Sequence, residues 1–299
     1  MLDLVIPAAG KGSRMQPLTG CIPKPLLPLP NGSILSSIFD AFDNQEFGSI
    51  YLVISEQQKA FYDVIPNYLK HKIYFVMQPK PCGLGSVIDQ LRGIVLNDFM
   101  FVYGDCIYNK NDLSNLRTLY DRGSRFNALL HKVKPALAQD HSLIEWANDG
   151  HISKVVSKPK ERYVPSNDAV VAYTLPNEIF QVANSIQNRL GEYSLSNLVN
   201  QMIDNEKFKS KHLFATSLSH ATTMRDFYHL SLKQLDGKSY IGKNVVFKEK
   251  CKVINSIIYD NSYISNCKQI KNSIVFPFSV VSTEIKNCIV FDQKYLQIK

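Results

Sequence analysis

The sequence predicts an α/β fold, with a mixed, mainly parallel sheet covered by helices on both faces, followed by a small C-terminal β-helix. Three observations predict it. Apolar runs of strand length alternate with apolar residues at helical spacing through the first two-thirds of the chain. A glycine-rich segment directly follows the first such run, at the sheet edge where ligands of this fold class bind. The last stretch, of about 60 residues, repeats one short unit.

Taken in order, Leu4-Val5-Ile6 reads as a buried strand that runs into Pro7-Ala8-Ala9-Gly10-Lys11-Gly12-Ser13-Arg14. Ile34, Leu35, Ile38, Phe39 and Phe42 fall on one helical face. Ile50–Ile54 and Ile73–Met77 are strand-like, and Leu84, Val87, Ile88, Leu91 and Val95 mark a second helix. Phe99–Tyr103 is a further buried strand, and Gly104-Asp105 follows it at the same sheet edge as the glycine-rich loop. A mixed region runs from Phe126 to Thr174, with helices around Asn177–Arg189 and Leu195–Asp204. The domain boundary is placed near Leu235–Lys238, giving domains 1–235 and 236–299.

In the second of these, three segments align: Val253–Tyr259, Ile270–Phe276 and Ile285–Phe291. The shared unit is apolar, any residue, Asn, Ser or Cys, two β-branched residues, then an aromatic, at offsets of 17 and 15 residues. A unit this short cannot bury its own apolar side, but stacked coils can. The alignment predicts Ile257, Ile274 and Ile289 as one inward column, with Tyr240–Val245 as an earlier, degenerate rung. An antiparallel sandwich is the alternative.

Composition excludes several classes. At 299 residues with 45% hydrophobic and 20% charged residues, the chain has an ordinary globular balance. No apolar run of about 18 residues is present, so no membrane insertion is expected. The start lacks the pattern of a secretory leader, and six scattered cysteines without a C-x-x-C pair read as reduced thiols; a cytoplasmic location follows. The net charge is +8, and the stretch 233–299 holds eleven lysines against five acidic residues. Those lysines are spread singly, without stacking aromatics, which reads as a solvated face rather than a nucleic-acid surface.

The chemistry sits in the first 25 residues. Small residues let the backbone approach a ligand and turn its N–H groups toward an anion, while Arg14 and Lys24 add two charges in a segment stiffened by Pro17, Pro23 and Pro25. Met15 occupies the position where a G-x-G-x-x-G dinucleotide loop needs glycine, and no G-x-x-x-x-G-K-[ST] loop occurs. Gly10-Lys11-Gly12-Ser13-Arg14-Met15-Gln16-Pro17-Leu18-Thr19 and Pro23-Lys24-Pro25 resemble the signature of the sugar-1-phosphate nucleotidyltransferases, roughly G-x-G-T/S-R-x-x-P-x-T followed by P-K-P.

The resemblance implies a Rossmann-like catalytic domain with a left-handed β-helix tail, and it implies roles. Ala8, Ala9, Gly10 and Gly12 would cradle the nucleotide, Arg14 would clamp the triphosphate, and Lys24 would stabilise departing pyrophosphate. Asp105, about 90 residues after the glycine-rich loop, resembles the metal-binding aspartate, suited to Mg2+ with Mn2+ as an alternative. Gln78-Pro79-Lys80-Pro81-Cys82-Gly83-Leu84-Gly85 resembles the base-reading segment, where the Gln78 amide would match uracil or thymine and Gly83 would let the backbone approach. Lys158 resembles the sugar-phosphate lysine of an E-K-P motif, with Ser157 and Val171 beside the same ligand.

Two positions depart from the pattern. Ser157 replaces the glutamate that contacts the sugar ring, and His220 falls where a second metal aspartate is usual. Imidazole is a poor magnesium ligand, and a strand-end histidine is more often a solvated polar residue. Asp226 lies six residues on and would need a register shift to serve. The reading is an enzyme that makes a nucleoside diphosphate sugar and pyrophosphate from a nucleoside triphosphate, UTP or dTTP favoured, and a sugar 1-phosphate, for glycan or polysaccharide precursors. The alternative is a non-catalytic regulatory or scaffold subunit, motivated by the two departures. An acyltransferase role for the tail is disfavoured because no histidine follows His229. Homo-oligomerisation is left open.

Overall fold

A computed structural model describes residues 1–42, 45–55, 58–79, 83–159, 165–182, 193–205 and 209–298. The chain divides into two compact units. The first comprises Met1–Lys11, Pro23–Leu26 and Ile34–Ser219; the second comprises Gly12–Ile22, Leu27–Ser33 and His220–Lys299.

The first unit is built on a mixed sheet. Asp3–Pro7 lies between Phe99–Val102 and Ile50–Ile54, which is followed by Ile73–Met77, all parallel. The other half is antiparallel: Asp168–Leu175 pairs with Phe99–Val102, with Asn127–Lys132 and with Ser142–Trp146, which in turn carries Ile152–Ser157. Lys211–Phe214 adds in parallel to Asn127–Lys132. Alternation along the central strands sends side chains to opposite faces. Leu4 and Ile6 join Ile38, Phe39, Leu113 and Leu116, from helices Ile34–Ala41 and Lys110–Asp121. Val5 joins Val87, Ile88, Leu198 and Val199, from helices Leu84–Leu91 and Leu195–Asp204. Near-continuous apolar strands are the consequence of a sheet buried on both faces. Of the helix expected at 177–189, Ile179–Val182 is present, and residues 183–189 lie outside the described residues.

The second unit contains the β-helix. Three parallel ladders run through it, and in one of them Tyr240 pairs with Ile257, Ile257 with Ile274, and Ile274 with Ile289. The others stack Val246, Tyr263 and Val280, and Val253, Ile270 and Ile285. An antiparallel strand, Lys294–Gln297, covers the last coil's edge on Cys288–Phe291. Ile257, Ile274 and Ile289 form the expected column and are fully buried, but the side is corrected. The coil interior holds the neighbouring residues Ile258, Val275 and Val290, together with Ile264, Val281, Ile270 and Ile285. Adjacent strand residues point oppositely, so the Ile257 column lies on the outer face with Tyr259 and Phe276. There the Tyr259 hydroxyl donates to the Pro28 carbonyl at 2.7 Å, and Phe276 contacts Phe227 of helix Met224–Lys233 at 6.0 Å between ring centroids.

The repeated Asn and Ser have separate tasks. Asn255, Asn272 and Asn287 turn the coil corners at φ of 42°, 44° and 51°, a left-handed conformation that Asn tolerates. Buried Ser256 and Ser273 donate to the carbonyls of Ile254 and Lys271, and each accepts the backbone N–H of the equivalent residue one coil on. The expected boundary at 235/236 falls between helix Met224–Lys233 and the first coil strand, Tyr240–Ile241.

Candidate active site

The first unit brings together two residues that stand 81 positions apart. The Lys24 ammonium donates to the Asp105 carboxylate at 2.7 Å. Lys24 opens a single 3-10 turn, Lys24–Leu26, closed by the Leu26 N–H on the Pro23 carbonyl at 2.8 Å, with proline on either side limiting the backbone. Its side chain is 12% exposed against 37% for Asp105, so the lysine is held and the carboxylate faces outward.

Asp105 sits on the turn after Phe99–Val102, and two features fix that turn. A Cβ on Gly104 would collide with the Pro7 carbonyl, so glycine allows the turn to close on the end of the first strand. The Tyr108 hydroxyl accepts the Tyr103 N–H at 2.8 Å and donates to the Val171 carbonyl at 2.7 Å, pinning both ends of the turn. Burial pushes the Cys106 thiol well above its ordinary range, so it stays protonated and points a weak donor at the other Asp105 oxygen, 3.6 Å away.

Arg14 and Gly12 belong to the second unit. Gly12 has φ 59°, and its carbonyl accepts the Met15 N–H at 2.8 Å and the Thr19 hydroxyl at 2.7 Å. Met15 and Leu18 anchor the turn by full burial, and Arg14, just before Met15, is exposed. In the first unit, Ala8 and Ala9 are buried and the Ala8 N–H is spent on the Val53 carbonyl at 2.7 Å. Gly10 is exposed, with open space where a Cβ would stand.

Gln78 is buried and donates its amide to Ser86 at 2.7 Å, and the Ser86 hydroxyl donates to the Gly83 carbonyl at 2.7 Å. Gly83 has φ 95°, and its missing side chain makes room for Tyr193, whose carbonyl would lie 2.5 Å from a Cβ. That close approach is of the chain to itself. Lys80, Pro81 and Cys82 of this segment lie outside the described residues.

Ser157 and Lys158 are exposed at the end of Ile152–Ser157. Lys158 is a non-glycine residue at φ 44°, held by its N–H on the His141 carbonyl at 2.9 Å. Backbone strain of this kind persists where the surroundings enforce it, often at ligand sites. The Val171 side chain is fully buried and its carbonyl is taken by Tyr108, which leaves that residue to the core. His220 ends the short strand Leu218–His220 and is half-buried. Asp226 caps its own helix: its carboxylate accepts the Thr223 N–H and hydroxyl, both at 2.8 Å. Tyr108, Ser86 and Tyr193 support these positions without belonging to any motif.

Within the first unit, the carboxyl edge of the parallel half-sheet thus carries the Lys24–Asp105 pair on the Gly104 turn, and Lys158 stands in a left-handed conformation at the end of Ile152–Ser157. A sequence model of the nucleotidyl transferase family matches residues 4–230, and the chain belongs to that family. A bifunctional GlmU protein of Methanococcus maripaludis (strain C7) is 28% identical over 211 residues, covering 69% of this chain and 48% of that protein. The chain thus spans about half that relative's length. The UTP–glucose-1-phosphate uridylyltransferase AglF of Haloferax volcanii is 26% identical over 207 residues, covering 68% of this chain and 84% of AglF. A solved UDP-glucose pyrophosphorylase complexed with UDP-glucose matches the fold with a TM-score of 0.71 at 17% identity, covering 79% of this chain and 99% of its own.

Members of this family generally use a divalent metal. Among the described residues no group of three His, Cys, Asp or Glu side chains forms a protein cage for one. The donor set here is a single outward-facing carboxylate, Asp105. It fits a hard cation held mostly by phosphate oxygens and water, and does not fit a resident structural metal. Among the described residues, no helix is long and apolar enough to cross a membrane.

Proposed function

We propose that this chain transfers a nucleotidyl group from UTP or dTTP to a sugar 1-phosphate, with magnesium as the accompanying ion. The Lys24–Asp105 pair carries the reading, set at the strand edge of a nucleotidyl transferase fold. A phosphate oxygen of the sugar 1-phosphate bonds to the α-phosphorus, the bond to the β-phosphate bridge breaks, and pyrophosphate leaves with the electron pair. Both reactants are anions, so holding them in line and offsetting charge are the tasks of the protein.

Lys24 and Asp105 neutralise one another in the ligand-free chain. With the triphosphate in place the Lys24 ammonium transfers to phosphate oxygen and stabilises the departing pyrophosphate, and Arg14 clamps the triphosphate bidentately. Asp105 would hold the magnesium, whose chemistry is to offset charge on the phosphate oxygens. Lys158, projecting from its strained strand end, takes the sugar phosphate, with Ser157 beside the sugar ring. Gln78 and Gly83 shape the base-reading segment through Ser86, and the backbone at Gly10 and Gly12 would take the nucleotide's phosphates.

The test is pyrophosphate release from a panel of nucleoside triphosphates and sugar 1-phosphates. Uridine or thymidine triphosphate should turn over, and Lys24→Ala or Arg14→Ala should lose roughly 100-fold in rate with the fold intact. Asp105→Ala should lose the response to added magnesium. No pyrophosphate from any pair with any divalent ion overturns the reading. His220 is the other candidate metal donor; His220→Ala should leave rate, metal dependence and pH profile unchanged, and a changed magnesium-to-manganese preference would make it a ligand.

A further inference from the structure

We infer that the cleft between helix Met224–Lys233 and the asparagine ladder of the β-helix is a binding site for a small phosphorylated molecule. The cleft has a volume of about 470 Å³ and is lined wholly by the second unit. That volume lies in the range of small-ligand pockets.

One wall is cationic. Arg225, His229 and Lys233 line it at a spacing of four residues, which aligns them along one helix face over about 12 Å. None of the three has a carboxylate partner among the described residues, and no acidic residue lines the cleft. The acid nearest in sequence, Asp226, is committed to the helix cap.

The opposite wall is made of amides. Asn255 donates to Asn272 at 3.0 Å and Asn272 to Asn287 at 3.3 Å. Each amide nitrogen carries two hydrogens, so the ladder uses one from Asn255 and one from Asn272. The others, with both from Asn287, remain to donate. Both walls therefore offer donors, the pattern that an anion with several oxygens requires. Leu232 and Ile298 supply apolar surface for a carbon skeleton. An ordinary solvated basic face would lack both the concavity and the second donor wall. Tyr228, which also lines the cleft, donates its hydroxyl to the Asn272 carbonyl at 2.6 Å and so joins the two walls.

Calorimetric titration of the full chain tests this with three probes: glucose 6-phosphate, inorganic phosphate and citrate. Glucose 6-phosphate, which has no anomeric phosphate, should bind saturably to the parent and equally to Lys24→Ala. Binding should weaken at least tenfold in Arg225→Ala/Lys233→Ala, since charge-assisted hydrogen bonds are lost, and should fall with added salt. The melting temperature of the ligand-free double variant should match the parent; should it not, Lys233→Glu alone is the substitute, on an exposed side chain. Weaker binding of inorganic phosphate than of the ester supports a contribution from the carbon skeleton. No saturable binding of either phosphate probe, undiminished binding by the double variant, loss in Lys24→Ala, or equal binding of citrate each overturns the assignment.

Discussion

At Gly104 a single methyl group separates two structures. The Cβ of an alanine there would meet the Pro7 carbonyl, which is sheet backbone and cannot yield cheaply. Gly104→Ala should therefore displace the turn that carries Asp105 while sparing the core. The expected outcome is a loss of turnover of at least about tenfold, since small misplacements of reacting groups are costly, with an unchanged far-ultraviolet circular dichroism spectrum. Unchanged turnover would detach Asp105's placement from catalysis. Lys24 and Asp105 were legible in the sequence because each lies in an ordered motif, although their direct contact was not. Gly83 shows the limit of such reading. A glycine in a motif announces a close approach but not its partner, which here is Tyr193, more than a hundred positions away. Tyr108 and Ser86 were illegible for the same reason, because their importance lies in what they touch across the fold.

Elements show a different boundary between what was legible and what was not. Periodicity located the main strands of the parallel half-sheet and their covering helices, because burial on one helical face or both sheet faces leaves a direct pattern. The coil repeat gave the correct register, Ile257 to Ile274 to Ile289. It did not give the side, because both residues of each two-residue strand are apolar and both are buried. Without a polar neighbour, inside and outside look alike. The corrected packing yields a prediction. Val275→Asp would place a carboxylate among Ile258, Ile264, Val281 and Val290, with no partner among those residues. Burial of an unpaired charge costs several kcal/mol, more than a short coil can absorb. The β-helix transition should move to lower denaturant, measured by Tyr fluorescence, whereas the exposed substitution Lys286→Asp should leave it in place.

For the molecule as a whole, acid exposes how distant segments of the first unit are tied. Arg125 donates to Asp98 at 2.6 and 2.7 Å and to Glu178 at 2.7 and 2.8 Å, and Asp98 also accepts the Asn177 N–H at 3.1 Å. The network joins the entry to Phe99–Val102, the entry to Asn127–Lys132 and the start of helix Ile179–Val182. Burial alone would push the Asp98 carboxyl up, but its hydrogen bonds from Arg125 and Asn177 prevail and hold it below its ordinary 3.8. Arg125 likewise holds Glu178 below 4.5. A carboxyl whose folded value is depressed contributes stability that is complete above its unfolded value and is lost as pH falls through the folded one. The parent should thus lose this contribution progressively below about pH 4.5, while its net charge of +8 grows and adds self-repulsion. Arg125→Ala removes the cation that depresses both groups. At neutral pH it should destabilise by about 1–2 kcal/mol, a modest figure because Arg125 is 42% exposed and its pairs are screened. The gap in melting temperature between parent and variant should then narrow steadily from pH 7 toward pH 3, because protonated carboxyls no longer need the arginine. A gap that stays constant over that range would show that Arg125 acts through packing of its stem rather than through its charge.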